Sequence, residues 1–246
     1  MVQRLLARDG SRAGSVMRLL FVASDPMEFR GILAVTQAPR KISASVDWAR
    51  AGKMNGHEVL LVANGAGWQR AADAMDAACD EFPADRVVST GFCGALDPQL
   101  QVADLVAGTL VAHGNRRFSA LPVTGKGVRT GIVCSIDHVA GTAEEKRALC
   151  ADGYSVVEME AAGVAERAEA RGLPFSCVRA VTDLASEDMA NDFNRSLRSD
   201  GHFATMRILG GAVRHPAARF PELIRLQRRG TRAAQALGDF FADCRF

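Results

Sequence analysis

Apolar and polar residues along the chain alternate with two different periods, which predicts a succession of strands and helices. Short apolar runs rich in β-branched residues indicate strands at 19–23, 46–51, 57–63, 86–90, 104–112, 128–135 and 174–181. Helical spacing indicates helices at 27–35, 68–81, 143–151 and 160–171, with mostly helix after 192. Because Asn55-Gly56 is a strong hairpin signal between two of the strands, the pattern favours an α/β fold, a three-layer α-β-α sandwich with a mixed central sheet.

The composition is typical of a soluble enzyme domain. Of the 246 residues, 48% are apolar and 24% are charged, and the net charge is only +2. Such a small net charge gives no reason to expect a nucleic-acid partner, and no apolar run reaches the length of a membrane span. We therefore expect a cytoplasmic protein without stable membrane association. The six cysteines are scattered without a C-x-x-C pair and are interpreted as reduced thiols.

The first predicted strand marks where the folded domain is expected to begin. Residues 1–16 are polar and lack the apolar stretch of a signal peptide. They precede the apolar run at 19–23, so we expect a disordered extension at 1–16 and a single domain at 17–246. No repeat and no long linker interrupts the second range.

Two polar clusters follow predicted strands in the second half of the chain. The stretch VVEMEAAGV at 156–164 places Glu158 and Glu160 on either side of Met159, and the stretch VRAVTD at 178–183 contains Arg179 and ends in Asp183. Ligands of α/β proteins usually bind at the carboxyl ends of strands. Carboxylates there suit a ligand with vicinal hydroxyls and a protonatable leaving group, such as a sugar carrying a nitrogen base. The structural alternative is that these acids occupy favoured positions in helix first turns and caps.

As a pair, the two stretches resemble those of the nucleoside phosphorylase and nucleosidase superfamily, and the chain is most similar to the methylthioadenosine/S-adenosylhomocysteine nucleosidases. The resemblance runs from about residue 17 to about residue 183. It implies a nucleoside phosphorylase-like sandwich, a homodimer, and hydrolysis of the N-glycosidic bond of an adenosine-type nucleoside with release of the purine. It implies neither a cofactor nor a metal.

The resemblance also implies which residues hold the sugar. Glu160 is expected to accept hydrogen bonds from the ribose hydroxyls, since an ionised carboxylate accepts from two adjacent donors. Met159 is expected to lie against the sugar as an adaptable apolar surface. Glu158 is expected to support the site by pairing with Arg179.

Proton transfer is assigned by the same resemblance. Asp183 is expected to be the general acid that protonates N7 of the departing purine, and Thr182 is expected to orient it. Counting from the first strand places Glu28 where the nucleosidases carry the base that deprotonates the attacking water. The family's run of acids is reduced here, so Asp25 stays open as the base. The structural alternative for Glu28 is an exposed glutamate at a helix start.

The segment SDPME at 24–28 also bears on whether water or phosphate is the nucleophile. The phosphorylases resemble Gly-Asp-Pro-x-Arg here, and Glu28 in place of that arginine repels phosphate. They also tend to carry an arginine before the glycine-rich segment GFCGAL at 91–96, where this chain has Thr90. Both differences favour water, while Arg30 and Arg116 keep phosphorolysis open.

Loop segments complete the expected site. By the resemblance, Gly94 contacts the nucleoside, and Phe92, where relatives often carry serine, alters the pocket. The segment SIDHV at 135–139 matches one that contacts the base through its backbone, so Val139 or His138 is expected there, with no catalytic role for His138. The glycine loop at 64–67 is equally well explained as a plain turn.

Three other functions stay open at this point. They are a phosphate-dependent purine nucleoside phosphorylase, a nucleosidase for a bulky substrate such as futalosine or adenosylhopane, and a non-catalytic nucleoside-binding protein. The 5′ substituent is expected to be recognised by loops at 113–127 and 186–206. Basic clusters at 116–117 and 225–232 are interpreted as solvated helix faces, with contact to an anionic surface as the alternative.

Overall fold

The computed structural model describes residues 16–214 and 216–245, and the predicted extension lies almost wholly outside this range. Within these two ranges there are ten strands: β1 Arg18–Ala23, β2 Gln37–Lys41, β3 Trp48–Met54, β4 His57–Ala63, β5 Arg86–Ala95, β6 Leu105–His113, β7 Arg116–Ser119, β8 Val128–Ser135, β9 Val156–Glu158 and β10 Phe175–Asp183. The helices are α1 Arg30–Val35, α2 Trp68–Glu81, α3 Ala143–Ala151, α4 Ala161–Arg171, α5 Phe193–Ser196, α6 Thr205–Arg214 and α7 Pro216–Asp243, and a 3₁₀ turn spans Pro26–Phe29.

The strands form one mixed sheet in the order β10-β6-β8-β9-β5-β1-β4-β3-β2, with β7 paired to β6. Strand β1 is parallel to both β4 and β5, whereas β3 and β4 form the antiparallel hairpin predicted around Asn55-Gly56. Strand β10 pairs with β5 as well as with β6, so five strands close into a small barrel at one end of the sheet. The predicted mixed sheet is confirmed.

Helices cover both faces of the sheet, which gives the three predicted layers. On one face, α2 and α4 pack over Leu20 and Val22 of β1. On the other face, α1 and α7 pack over Leu19 and Phe21, and Phe241 of α7 makes an edge-to-face contact with Phe21. Because both faces of β1 are buried from residue 19 onward, this strand is apolar at 19–23 instead of alternating.

The structure differs from the predicted elements in three places. Strands β2 and β7 were not expected. All five residues of β2 are exposed, and it contains Pro39, as is usual for an edge strand without an apolar pattern. The segment at 91–95 was predicted as a loop but continues β5 as a strand, with Gly91 at φ +142°.

No helix within residues 16–214 and 216–245 combines the length and the apolar character needed to cross a bilayer.

Candidate active site

A cavity of about 320 Å³ opens where the carboxyl ends of β1, β5, β9 and β10 meet. Its lining is mostly apolar but includes the four predicted acids: Glu28, Glu158, Glu160 and Asp183. Convergence of polar groups at the ends of neighbouring strands is the usual position of a ligand site in this class of fold. A larger cavity of about 410 Å³ lies against the edge strands β2 and β3, but it contains none of the predicted site residues.

Glu28 is buried at the cavity wall and its carboxylate is held by four hydrogen bonds. One oxygen, Oε2, accepts from Ser24 N at 2.8 Å, Ser24 Oγ at 2.8 Å and Asp25 N at 3.0 Å. The other oxygen, Oε1, accepts from Phe92 N at 2.6 Å. The 3₁₀ turn after Pro26 brings Glu28 back over the end of β1, and this places the predicted base in the cavity.

Burial raises the pKa of Glu28 above its ordinary value, although its backbone donors and nearby Arg179 oppose that rise. A carboxylate with a raised pKa is a stronger base toward water than an exposed glutamate. Asp25, the alternative base, is exposed, and its Oδ1 accepts from Met27 N at 2.7 Å as a helix cap. Both side chains line the cavity and belong to one capping box, and they differ in that Glu28 is buried whereas Asp25 is exposed.

Glu158 and Arg179 form an ion pair behind the cavity. Arg179 Nη2 lies 2.5 Å from Glu158 Oε2 and 2.7 Å from Ser89 Oγ, and both charged side chains are almost completely buried. Glu158 Oε2 also accepts from the backbone N–H groups of Glu160 and Ala161 at the start of α4. The predicted pairing is therefore present. Arg179 itself does not line the cavity, and it contacts the site through Glu158.

Glu160 sits at the first turn of α4, with Met159 beside it in the cavity lining. Its Oε1 accepts from Gly67 N at 2.9 Å, so the glycine loop at 64–67 contributes a donor to the site. Burial, and repulsion from Glu158, raise the pKa of Glu160 to about 8. A buried carboxyl with spare acceptor capacity suits a ligand that brings its own hydroxyl donors.

Asp183 ends β10 and is held by two side chains. Thr182 Oγ1 donates to Asp183 Oδ1 at 3.1 Å, as expected for a residue that orients the acid. Lys146 Nζ, on α3, lies 2.5 Å from Asp183 Oδ2 and also donates to Leu184 O at 3.0 Å. Lys146 is completely buried, and nothing in its helical pattern distinguished it from a surface lysine.

Gly94 faces Asp183 across the β5–β10 pairing, where β10 has a bulge between Val181 and Asp183. A Cβ at Gly94 would lie 2.8 Å from Asp183 Oδ2 and 3.2 Å from Val157 Cγ1. A Cβ at Gly91 would likewise lie 2.5 Å from Glu28 Oε1. These two glycines leave room for the two acids at the strand ends.

Val139 lines the cavity, but its backbone N–H and C=O already form hydrogen bonds. Its N–H donates to Asn194 Oδ1 at 2.7 Å, and its C=O accepts from Asn194 Nδ2 at 2.9 Å. Donation from the Val139 N–H to a base therefore requires Asn194 to be displaced, whereas the C=O keeps a second lone pair for the predicted contact. His138 is flanked by Asp137 and Glu145, which raise its pKa, and this agrees with a structural role.

Neither arginine that kept phosphorolysis open reaches the cavity. Arg30 is exposed on α1, and Arg116 pairs with Glu166 on the surface. Among the described residues, the cavity lining includes no lysine or arginine. The lining therefore offers a phosphate dianion no lysine or arginine to pair with. The described residues likewise contain no cluster of three His, Cys, Asp or Glu that could hold a metal ion.

Several lining residues were not found from the sequence. Ser24 supplies two donors to Glu28, and the apolar side chains of Met189 and Phe203 border the cavity. The loop at 186–206, expected to recognise the 5′ substituent, contains both of these apolar residues. No motif marks them, because apolar residues in a loop are recognisable as pocket lining only once the loop is folded.

Comparisons with known proteins identify the family of the chain. Residues 21–129 and 119–205 match the phosphorylase superfamily. The methylthioadenosine/S-adenosylhomocysteine nucleosidase of Actinobacillus succinogenes is 28% identical over 195 residues, 67% of this chain and 84% of that protein. The enzyme of the same name from Staphylococcus saprophyticus is 25% identical over 176 residues, 59% of this chain and 77% of that protein.

Solved structures show the same fold. The S-adenosylhomocysteine nucleosidase of Streptococcus pyogenes, in complex with 5-methylthiotubericidin, superposes with a TM-score of 0.69 at 19% identity, over 94% of this chain and 98% of that one. A futalosine hydrolase mutant of Helicobacter pylori superposes with a TM-score of 0.66 at 16% identity, over 90% of this chain and 97% of that one.

The closed end of the sheet, the flanking helices and the acid-lined cavity define an α/β protein of the nucleoside phosphorylase type. The chain belongs to the phosphorylase superfamily. The predicted superfamily and fold are thereby confirmed, and the predicted enzyme class, an N-glycosidic bond hydrolase, agrees with the names of the relatives.

Proposed function

We propose that this protein is a nucleosidase that hydrolyses the N-glycosidic bond of an adenosine-type nucleoside. The observation that carries the proposal is one cavity lined by Glu28, Glu160 and Asp183 and by no lysine or arginine among the described residues. Hydrolysis with departure of a base needs a base for water, a holder for the sugar and an acid for the leaving group.

In the proposed reaction, Glu28 accepts a proton from water as the water oxygen bonds to the anomeric carbon. The bond between that carbon and the purine nitrogen breaks, and its electron pair leaves with the purine. Asp183 gives a proton to N7 of the purine, so the base leaves neutral. Glu160 binds the ribose hydroxyls, and its negative charge near the sugar favours an oxocarbenium-like transition state.

Lys146 Nζ lies 2.5 Å from Asp183 Oδ2 and holds the carboxyl in place at the border of the cavity. In the proposed reaction Asp183 loses one proton to the purine and regains one from solvent after the product leaves.

The proposal is tested by adenine release from methylthioadenosine, in phosphate-free buffer and with added phosphate. The wild type should release adenine equally in both buffers. Glu28→Gln and Asp183→Asn should each be slower by roughly a hundredfold or more, while they still bind a non-hydrolysable adenosine analogue. Release that requires phosphate would make the protein a phosphorylase. Absence of base release from every nucleoside, with analogue binding intact, would make it a binding protein.

A substrate with a larger 5′ group is the second candidate. The cavity is bordered by Met189 and by Phe203, which is 37% exposed, so this side is both apolar and open. Base release should therefore be compared among methylthioadenosine, S-adenosylhomocysteine and futalosine. A kcat/KM for a larger nucleoside well above that for methylthioadenosine would assign the site to the larger substrate.

A further inference from the structure

Most of the exposed large hydrophobic side chains are gathered in one part of the molecule. Eight such side chains are exposed in the described part of the chain, and six of them lie between residues 203 and 224. We call these six the α6–α7 surface: Phe203, Met206, Leu209, Val213, Phe220 and Ile224. Met206 is 81% exposed, Val213 66% and Ile224 51%. Apolar side chains gathered at this density mark an interaction site more often than a solvated face.

Helical spacing places these residues on the outer faces of two helices in contact. Met206, Leu209 and Val213 follow one face of α6, while Ala212 on another side is completely buried. On α7, Phe220 and Ile224 are one turn apart. Arg219 Nη1 of α7 donates to Gly211 O of α6 at 2.7 Å, so the two helices lie side by side.

The exposed charge between residues 205 and 232 is positive. These residues contain seven arginines, and the acid among them is Glu222. Glu222 is buried, and its carboxylate accepts from the backbone N–H groups of Ala190 and Asn191. Exposed arginines lie at 207, 225, 228 and 232, whereas the exposed acids of α7 lie further along the helix at 239 and 243. The surface therefore offers apolar side chains and an excess of positive charge together, with exposed Asp192 beside Arg207 and Arg219 at its edge.

This combination selects among the possible partners. Nucleic acid would use the arginines but would leave Met206, Val213 and Ile224 without an apolar partner. A second copy of this chain, related by a two-fold axis through the surface, would bring arginines against arginines. An anionic lipid surface satisfies both features, because acyl chains accept the apolar side chains and headgroups accept the arginines.

We propose that the α6–α7 surface docks this protein reversibly on anionic lipid membranes. Helix α6 would lie in the plane of the headgroups, with Met206 and Val213 inserted at the boundary of the acyl chains. Phe203 belongs both to this surface and to the cavity lining, so docking places one border of the cavity beside the membrane. The inference uses the α6–α7 surface alone and does not depend on the reaction that the cavity catalyses.

The test is co-sedimentation of the full chain with vesicles of phosphatidylcholine alone or mixed with phosphatidylglycerol. The wild type should sediment with the mixed vesicles and not with phosphatidylcholine alone, and added salt should weaken its binding. Met206→Glu/Val213→Glu should abolish binding. Arg225→Gln/Arg228→Gln should weaken binding by roughly fivefold for each arginine.

Matched controls come from exposed residues elsewhere. Leu121→Glu adds a charge at a side chain that is 46% exposed, and Arg40→Gln/Lys41→Gln removes two charges from strand β2. Both controls should bind vesicles like the wild type. Arg225→Gln/Arg228→Gln and Arg40→Gln/Lys41→Gln should have the base-release rate of the wild type in vesicle-free buffer.

Two results would overturn the proposal. The first is equal sedimentation of the wild type and Met206→Glu/Val213→Glu, or no sedimentation of either with any vesicle. The second is a dimer, measured by analytical ultracentrifugation, that Met206→Glu/Val213→Glu converts to monomers while the wild type ignores vesicles. That second result would make the surface a contact between subunits.

Discussion

Lys146 and Asp183 form an ion pair at the border of the cavity, with Nζ 2.5 Å from Oδ2. The lysine side chain is 0% exposed and the aspartate side chain 11% exposed. Lysine is rarely buried to this extent without a paired charge, so the pair is part of the site's construction. It fixes the rotamer of Asp183 and ties α3 to the end of β10.

Lys146→Met should destabilise the protein by roughly 3 kcal/mol, because removing one partner of a buried pair leaves the other charge uncompensated. Asp183→Asn should destabilise it for the same reason. The double variant Lys146→Met/Asp183→Asn should recover a large part of the loss. Urea unfolding of the four proteins measures these differences. If the loss of stability in the double variant equalled the sum of the losses in the two single variants, the two side chains would not interact.

Glu28→Gln should lower kcat by about a hundredfold or more and leave the affinity for an adenosine analogue nearly unchanged. The reaction needs ionised Glu28, and burial raises its pKa. The rate of the wild type should therefore begin to fall, as the pH is lowered, at a higher pH than an ordinary glutamate would give. Steady-state kinetics across pH measures this. If the fall in rate at low pH were the same in Glu28→Gln as in the wild type, the group whose protonation causes that fall would not be Glu28.

Glu160 should make nucleoside binding depend on pH. Its pKa of about 8 means that the free protein holds a proton there at neutral pH. Ribose hydroxyls donate to the ionised form, so binding expels that proton, and affinity should rise as the pH rises toward about 8. Calorimetric titration in two buffers of different ionisation enthalpy should detect proton release. Glu160→Gln should bind more weakly and release no proton, and proton uptake by the wild type would contradict the assignment.

The raised pKa of Glu160 also predicts how the stability of the folded protein depends on pH. A carboxyl with a raised folded-state pKa favours folding at low pH, and this contribution is lost as the pH rises from the unfolded value through about 8. Glu160→Gln should therefore melt at a higher temperature than the ligand-free wild type above pH 8, by on the order of 2–5 °C. The difference should shrink in acid. A thermal shift series across pH measures this, and a difference that is constant with pH would contradict it.

Gly94→Ala should slow base release without unfolding the protein. The new methyl group would lie 2.8 Å from Asp183 Oδ2, so the carboxylate has to move. Displacement of a catalytic group by a fraction of an ångström to one ångström costs on the order of tenfold to a hundredfold in rate. Gly210→Ala, on exposed α6 with nothing within 4 Å of the new carbon and no positive φ, controls for the loss of a glycine. Full activity in Gly94→Ala would show that the approach to Asp183 is unimportant.

Much of the fold follows from local pattern. The predicted ranges of α2, β8 and α3 coincide with the observed ones at both ends. The predictions failed where local signals were weak. Strand β2 is polar on both faces, and the second half of β5 contains two glycines that indicate a loop, although pairing with β10 holds it extended.

Site residues at the ends of strands were predictable from the sequence. Residues that only tertiary packing brings to the site were not. Glu160 and Asp183 follow strands, so their convergence could be expected from topology. Lys146 lies on a helix whose other charged residues are more exposed, and its burial depends on the loop after β10. The hydrogen bond between Val139 and Asn194 joins residues that are 55 positions apart in the sequence. The expectation of no stable membrane association rested on the lack of an apolar run long enough to span a bilayer, and that criterion does not detect exposed apolar side chains on a surface helix such as α6.

The most direct test of the proposed chemistry is hydrolysis of methylthioadenosine in ¹⁸O-labelled water that contains inorganic phosphate, with mass spectrometry of the released sugar. Hydrolysis by water held at Glu28 predicts one ¹⁸O atom at the anomeric carbon and no sugar phosphate. A sugar phosphate without the label would contradict the account and identify phosphate as the nucleophile.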